Sequence, residues 1–80
     1  MTHTILRLPA IIASTGLSRS TIYLRVAQGV FPKPVSLGAR AVGWPASEVA
    51  ALNAARISGR SDSEIRDLVA KLEAARKAAV

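Results

Sequence analysis

Apolar positions along the chain fall into two short helical stripes, one alternating stretch, and two further helical stripes. Residues 5–8 (Ile-Leu-Arg-Leu) read as an extended lead-in. Pro9 suits the first turn of a helix, where its missing N–H costs nothing. Ala10, Ile11, Ile12 and Ala13 continue that helix, and Gly16 falls where a left-handed cap ends one. Leu17 is expected to plug the turn. Ser18 is a good N-cap for a second helix, with Arg19, Ser20 and Thr21 in its first turn. Ile22 and Val26 lie four apart with Tyr23 beside them, a stripe suited to burial. Arg19, Ser20 and Arg25 fall largely outside it, and Gly29 gives the second stop. Each helix is only about two to three turns long and needs packing to be stable.

The pattern then changes. Phe31-Pro32-Lys33-Pro34 is extended, because two prolines exclude a helix. Val35 and Leu37 alternate with Ser36, Gly38-Ala39-Arg40 makes a turn, and Ala41-Val42-Gly43-Trp44 returns, which predicts a β-hairpin. Ser47 is expected to cap a third helix carrying Val49, Leu52 and Arg56 or Ile57, closed by Ser58-Gly59-Arg60. A Ser61/Glu64 capping box opens a fourth. There Ile65, Leu68, Val69 and Leu72 follow at i, i+3, i+4 and i+7, an amphipathic helix that Ala75, Ala78 and Ala79 extend weakly. The predicted fold is mainly α with a small β-hairpin.

Charge divides the chain. Among 80 residues there are 11 Lys plus Arg against 5 Asp plus Glu, a net +6. Residues 1–59 carry six cations against one acid, Glu48, and residues 60–80 carry five against four. The expected organisation is a basic domain over 1–59 followed by a mixed-charge helical tail over 60–80. Phosphate is the usual partner of such a basic unit, through charge steering and counterion release. The remaining composition works mainly by exclusion. There is no Cys and one His, which removes disulfides, thiolate metal sites and cysteine nucleophiles. A nucleophile lacks a general base beyond His3, and no carboxylate pair or phosphate-binding glycine loop is evident. No enzyme, metal or cofactor is expected. No apolar run approaches the roughly 20 residues of a membrane span, and no basic segment precedes an apolar block as in a signal peptide. A cytoplasmic protein follows.

Helix, glycine turn and helix over Pro9 to Gln28 make the sharpest local signal. A tight turn leaves the second helix protruding, and its diameter suits the major groove of DNA. Arg19, Ser20 and Arg25 would face outward, with Lys33 at the base of the hairpin and Arg40 at its tip. Arg reads guanine or holds phosphate, and hydroxyls suit either. Short helix pairs occur in many folds, so the residues alone also admit a protein-interaction module, an anti-repressor or adaptor. Ser18 can serve only as a cap, Tyr23 as half-buried packing and Trp44 as core.

Leu6-Arg7-Leu8-Pro9, then Thr15-Gly16-Leu17-Ser18-Arg19-Ser20-Thr21-Ile22-Tyr23, then Gly29, Phe31-Pro32-Lys33-Pro34-Val35, Leu37-Gly38, Arg40-Ala41 and Trp44 resemble the AlpA family of phage and prophage regulators. The likeness covers about residues 5–57, with Ser47-Glu48-Val49 similar to the start of the family's third helix. It implies a MerR-like winged helix-turn-helix, related to excisionases, that binds double-stranded DNA and controls transcription or recombination of a mobile element. Such a protein would be nucleoid-associated when bound. Carried over by position, the recognition helix starts at Ser18 and its contacts include Arg19, Ser20, Thr21 and Tyr23, with Arg40 on the wing and Lys33 on its approach. Leu24, Val30 and Pro45 depart from the family's pattern. The tail from Ser61 lies outside the motif. It could fold back on the winged domain, pair with a second copy through 61–79 as a homodimer, or order only on a partner.

Overall fold

The chain runs from a short strand β1 (Ile5–Leu6) into helices α1 (Leu8–Thr15) and α2 (Arg19–Ala27). A hairpin follows, β2 (Val35–Gly38) and β3 (Ala41–Pro45), and then helices α3 (Ala46–Ile57) and α4 (Asp62–Ala75), with a 3-10 turn at Arg76–Ala78. The computed structural model describes residues 4–78; His3 and the Ala79 end of the expected tail stripe lie outside the described residues. The sheet is antiparallel throughout, in the order β1-β3-β2. Mainly helical with this small sheet, the arrangement is a winged helix-turn-helix with an appended C-terminal amphipathic helix.

Local chemistry accounts for most boundaries. Pro9 sits in the first turn of α1, and Gly16 (φ +71°) ends it in the left-handed conformation while its N–H bonds Ile12 C=O at 2.9 Å. A side chain there would be strained, so glycine sets the sharp exit. Ser18 caps α2, its Oγ accepting the Thr21 N–H at 3.3 Å. The capping box at α4 is complete: Ser61 Oγ accepts from Glu64 N–H, and Glu64 accepts from Ser61 N–H, both at 3.2 Å.

Two expectations need correction. The lead-in is more than extended chain, since Ile5 pairs with Pro45 and Leu6 with Trp44, adding a third strand to the hairpin. Gly43 makes room for it, because a Cβ there would lie 2.5 Å from Ile5 Cγ2 and 2.9 Å from the Leu6 carbonyl oxygen. Ser47 does not cap α3. That helix begins at Ala46 directly from Pro45, with no side-chain cap. The Ala46 N–H is taken instead by the Thr4 carbonyl at 2.7 Å. A backbone acceptor just before β1 thus satisfies one of the donors that a helix start leaves without an intrahelical partner.

Two apolar clusters hold these elements. The first joins Ile11, Ile22, Phe31, Trp44 and Val49, with Leu6, Leu8, Leu17 and Val26 packed against it. At its centre Trp44 is fully buried. Its Nε1–H donates to Pro32 C=O at 2.8 Å, and its ring lies 6.1 Å from Phe31, edge-on, and 6.2 Å from Tyr23. The second cluster joins Val30 to Leu52 of α3 and to Ile65 and Val69 of α4, flanked by Ala55, Leu68 and Leu72. The apolar stripe of α4 is thus covered within the chain. Val30 and Phe31, adjacent in sequence, serve different clusters.

Trp44→Phe keeps an aromatic side chain but orphans the buried Pro32 carbonyl and leaves a void beside it, and the expected loss is at least about 1–3 kcal/mol in urea unfolding. Loss within a few tenths of a kcal/mol would sink this account. Glu64 provides the acid-sensitive test. Hydrogen bonds from Ser61 N–H, then Arg60, then the Ser61 hydroxyl hold its carboxyl below the ordinary value of 4.5. Its folded-state affinity for protons is lowered, so its contribution is present above that value and fades as pH falls through the folded-state pKa. The stability gap between wild type and Glu64→Gln should therefore narrow on acidification below about pH 4.5, read by thermal melts across pH. A gap constant through that range would count against the capping box.

Candidate nucleic-acid interface

Helix α2 fixes its buried side with Ile22, which is fully enclosed, and Val26. At about 3.6 residues per turn, the opposite face carries Ser20, Leu24, Ala27 and Gln28, and all four are exposed. Leu24 sits at the middle of that face at 56% exposure. Arg19 opens the first turn and is exposed, while Thr21 is half-buried. The hydroxyls at the N-terminus are interlocked: Ser18 Oγ lies 2.8 Å from Thr21 Oγ1 and 3.4 Å from Ser20 Oγ.

The other expected residues divide by environment. Tyr23 leans on Trp44 yet keeps more than a third of its surface open, so one ring serves both packing and the outer surface. Arg25 is half-buried in the last turn of α2, where a cation favours the helix dipole. It lines a groove with Thr15, Leu17, Asn53 and Arg56, on the side of α3 rather than among the outermost positions. Lys33 lies in the segment leading to β2 and is exposed, and Arg40 is exposed in the β2–β3 turn. Ala39 beside it takes a left-handed φ of +46°, a conformation unusual for a residue with a side chain. The turn closes by placing Gly38 opposite Ala41. Leu24 and Gln28, which the family motif does not single out as contacts, also lie on the outward face of α2, as counting around the helix from Ile22 and Val26 indicates.

Charge sharpens the picture. Glu48, the sole acid of residues 1–59, is only 5% exposed. Arg76 chelates it, with Nε donating to Oε2 at 2.9 Å and Nη2 to Oε1 at 2.7 Å. Those bonds hold the guanidinium pKa above its ordinary value, outweighing desolvation. Arg56 is matched by Asp62 at 3.1 Å. Among the described residues, the winged unit therefore presents Arg7, Arg19, Arg25, Lys33 and Arg40 with no ion-pair partner and no exposed carboxylate of its own. No group of His, Asp or Glu among the described residues is arranged to hold a metal ion, and no described helix is long and apolar enough to cross a membrane.

The model of a family described as "Prophage CP4-57 regulatory protein (AlpA)" matches residues 4–57. Over 55 residues the chain is 53% identical to the uncharacterized protein ORF88 of Enterobacteria phage P4, covering 69% of this chain and 62% of that relative. The chain thus spans less than two thirds of that protein's length. Over 51 residues it is 43% identical to the DNA-binding transcriptional activator AlpA of Escherichia coli strain K12, covering 56% of this chain and 73% of the activator. No solved structure matches it. The matched span runs from the lead to β1 through the end of α3, taking in the helix-turn-helix and the whole sheet and leaving out α4. On that match the chain belongs to the AlpA family of prophage regulatory proteins.

Proposed function

We propose that the chain is a sequence-specific DNA-binding regulator of a prophage or other mobile element, acting on transcription, excision or both. Helix α2 enters the major groove and the β2–β3 hairpin acts as the wing. The observation that carries this reading is the charge of the surface: from Thr4 to Gly59 every exposed formal charge is positive, because the one acid is buried under Arg76. Such a surface favours a polyanion. The relative named as a DNA-binding transcriptional activator supports the same assignment.

Roles follow from position. Arg19 and Ser20 open the groove-facing end of α2, with Thr21 and Ser18 holding the first turn in shape. Leu24 offers an apolar contact of the kind a thymine methyl takes, and Gln28 an amide suited to adenine. Tyr23 and Arg25 flank this strip on either side. Lys33 and Arg40 meet phosphates from the wing and its approach. Because Ile65 and Val69 are buried within the chain, any self-association through 61–79 uses the outer faces of that segment.

A mobility-shift titration against mixed-sequence duplex and against DNA flanking the gene, at two salt concentrations, tests the reading. Discrete shifts on the flanking DNA that weaken with salt are expected. No shift on either duplex by folded protein would move the function to a protein-interaction module on the same scaffold. Within the same assay, Arg19→Ala should cost about 1–3 kcal/mol on the preferred site and relax preference at one base position. Arg40→Ala should weaken all duplexes alike. Uniform losses from both would make Arg19 a phosphate contact.

A further inference from the structure

The family match ends at residue 57, yet the segment beyond it grips the reading unit at four places. Arg66 Nε donates to the carbonyl of Gln28, the residue that closes α2, at 3.1 Å. Glu73 Oε2 accepts the Lys33 N–H at 2.9 Å. Arg76 Nη2 donates to the Lys33 carbonyl at 2.7 Å while the same guanidinium neutralises Glu48 near the start of α3. Beneath these bonds, Ile65 and Val69 pack on Val30, which lies between Gln28 and Lys33.

All four contacts converge on residues 28–33, the connection that sets how the wing sits relative to α2. Residues 31 and 32 are also held from the far side, by Phe31 in the first cluster and by Trp44 Nε1–H on the Pro32 carbonyl, but Lys33 has no such anchor. The Lys33 main chain bonds no other backbone group across the turn, and both its polar groups are taken by α4 and the 3-10 turn after it. We propose that Arg66, Glu73 and Arg76 are positioning residues for DNA binding: they brace the 28–33 connection so that Lys33 and Arg40 reach the backbone in register with α2 in the groove. The inference rests on the groove-reading assignment above. Arg76 has a second effect in the same place. Without it, Glu48 would be a buried, uncompensated carboxylate at the base of the wing.

The test is a double-mutant cycle on affinity for a mixed-sequence duplex at low salt, where the wing contact acts on every sequence. The braceless variant Glu48→Met/Arg76→Met/Glu73→Ala releases both polar groups of Lys33 and leaves no buried charge, an exchange that folded domains tolerate. Arg66→Met is the companion, because it removes a surface hydrogen bond and one exposed charge without touching the core, and it remains available should the triple variant fail to melt cooperatively. In wild type, Arg40→Ala is expected to weaken binding about tenfold. In the braceless background the same change should cost less than about threefold, with Arg66→Met intermediate, because a wing out of register has little contact to lose. A merely structural role would lower the melting temperature and leave the Arg40 cost intact in folded protein. An unchanged Arg40 cost in the folded variants overturns the brace while leaving DNA binding standing. Absence of any salt-sensitive shift by wild type would overturn the groove-reading assignment itself, and the brace with it.

Discussion

Trp44 is the residue on which the rest of the molecule hangs. Its indole lies on β3 one residue before the strand ends at Pro45 and the chain enters α3, and α2, the connection to the hairpin and β1 are all attached there. The Nε1–H fixes Pro32, and through it the approach to the wing. One ring neighbour, Tyr23, belongs to α2, and the other, Phe31, to the connection between α2 and the hairpin. The strand register places Leu6 opposite it, drawing β1 onto the sheet. A single rigid side chain reaching three elements fixes their relative orientation better than several aliphatic contacts would.

Burial and charge are coupled around this core. Among residues 1–59 only Glu48 is acidic, and among the described residues it is the one charged side chain that the fold hides. A buried ion pair contributes little net stability against an apolar pair of the same size, because desolvation offsets the Coulomb gain. Its consequence here lies elsewhere: the carboxylate is removed from the outer surface, and its partner's free donor is used to hold the Lys33 carbonyl. The same contact that leaves only positive exposed charges on residues 4–59 also ties the C-terminal segment to the hairpin's approach.

Two small clusters meeting at adjacent residues explain why short elements persist. Neither α1 nor α2 is long enough to be stable in isolation, and each is held by apolar residues contributed from distant parts of the chain. Val30 and Phe31 point into different clusters, so the peptide between them is pinned from both sides. The wing inherits its orientation from that pinned segment.

Much of this was legible without coordinates, for local reasons. Gly16 and Ser18 mark the turn between α1 and α2, the two prolines around Lys33 enforce extension, and the Ser61/Glu64 box opens α4; each acts within a few residues. Helical periodicity likewise identified Ile22, Val26, Ile65 and Val69 as inward-facing. Other features depended on partners far away in sequence. Ile5 and Leu6 carry no strand signal strong enough to name their partner, and β1 exists because Gly43 leaves space for it. Ser47 has the sequence signature of a cap, but α3 starts a residue earlier at Ala46, whose N–H is met by the Thr4 carbonyl more than forty residues away. Leu24 is exposed although apolar, and Arg25 half-buried although charged, because the position of α3 decides which side of α2 is covered. The pairing of Glu48 with Arg76 has no sequence signature at all, since the two meet only when α4 folds back. Sequence by itself determined the four helices, the hairpin, the caps at Gly16, Ser18 and Ser61, and the positive charge of residues 1–59, because these follow from spacing and composition. Tertiary structure alone decided which charges remain on the surface and what holds the wing, because those depend on burial and on contacts across long separations.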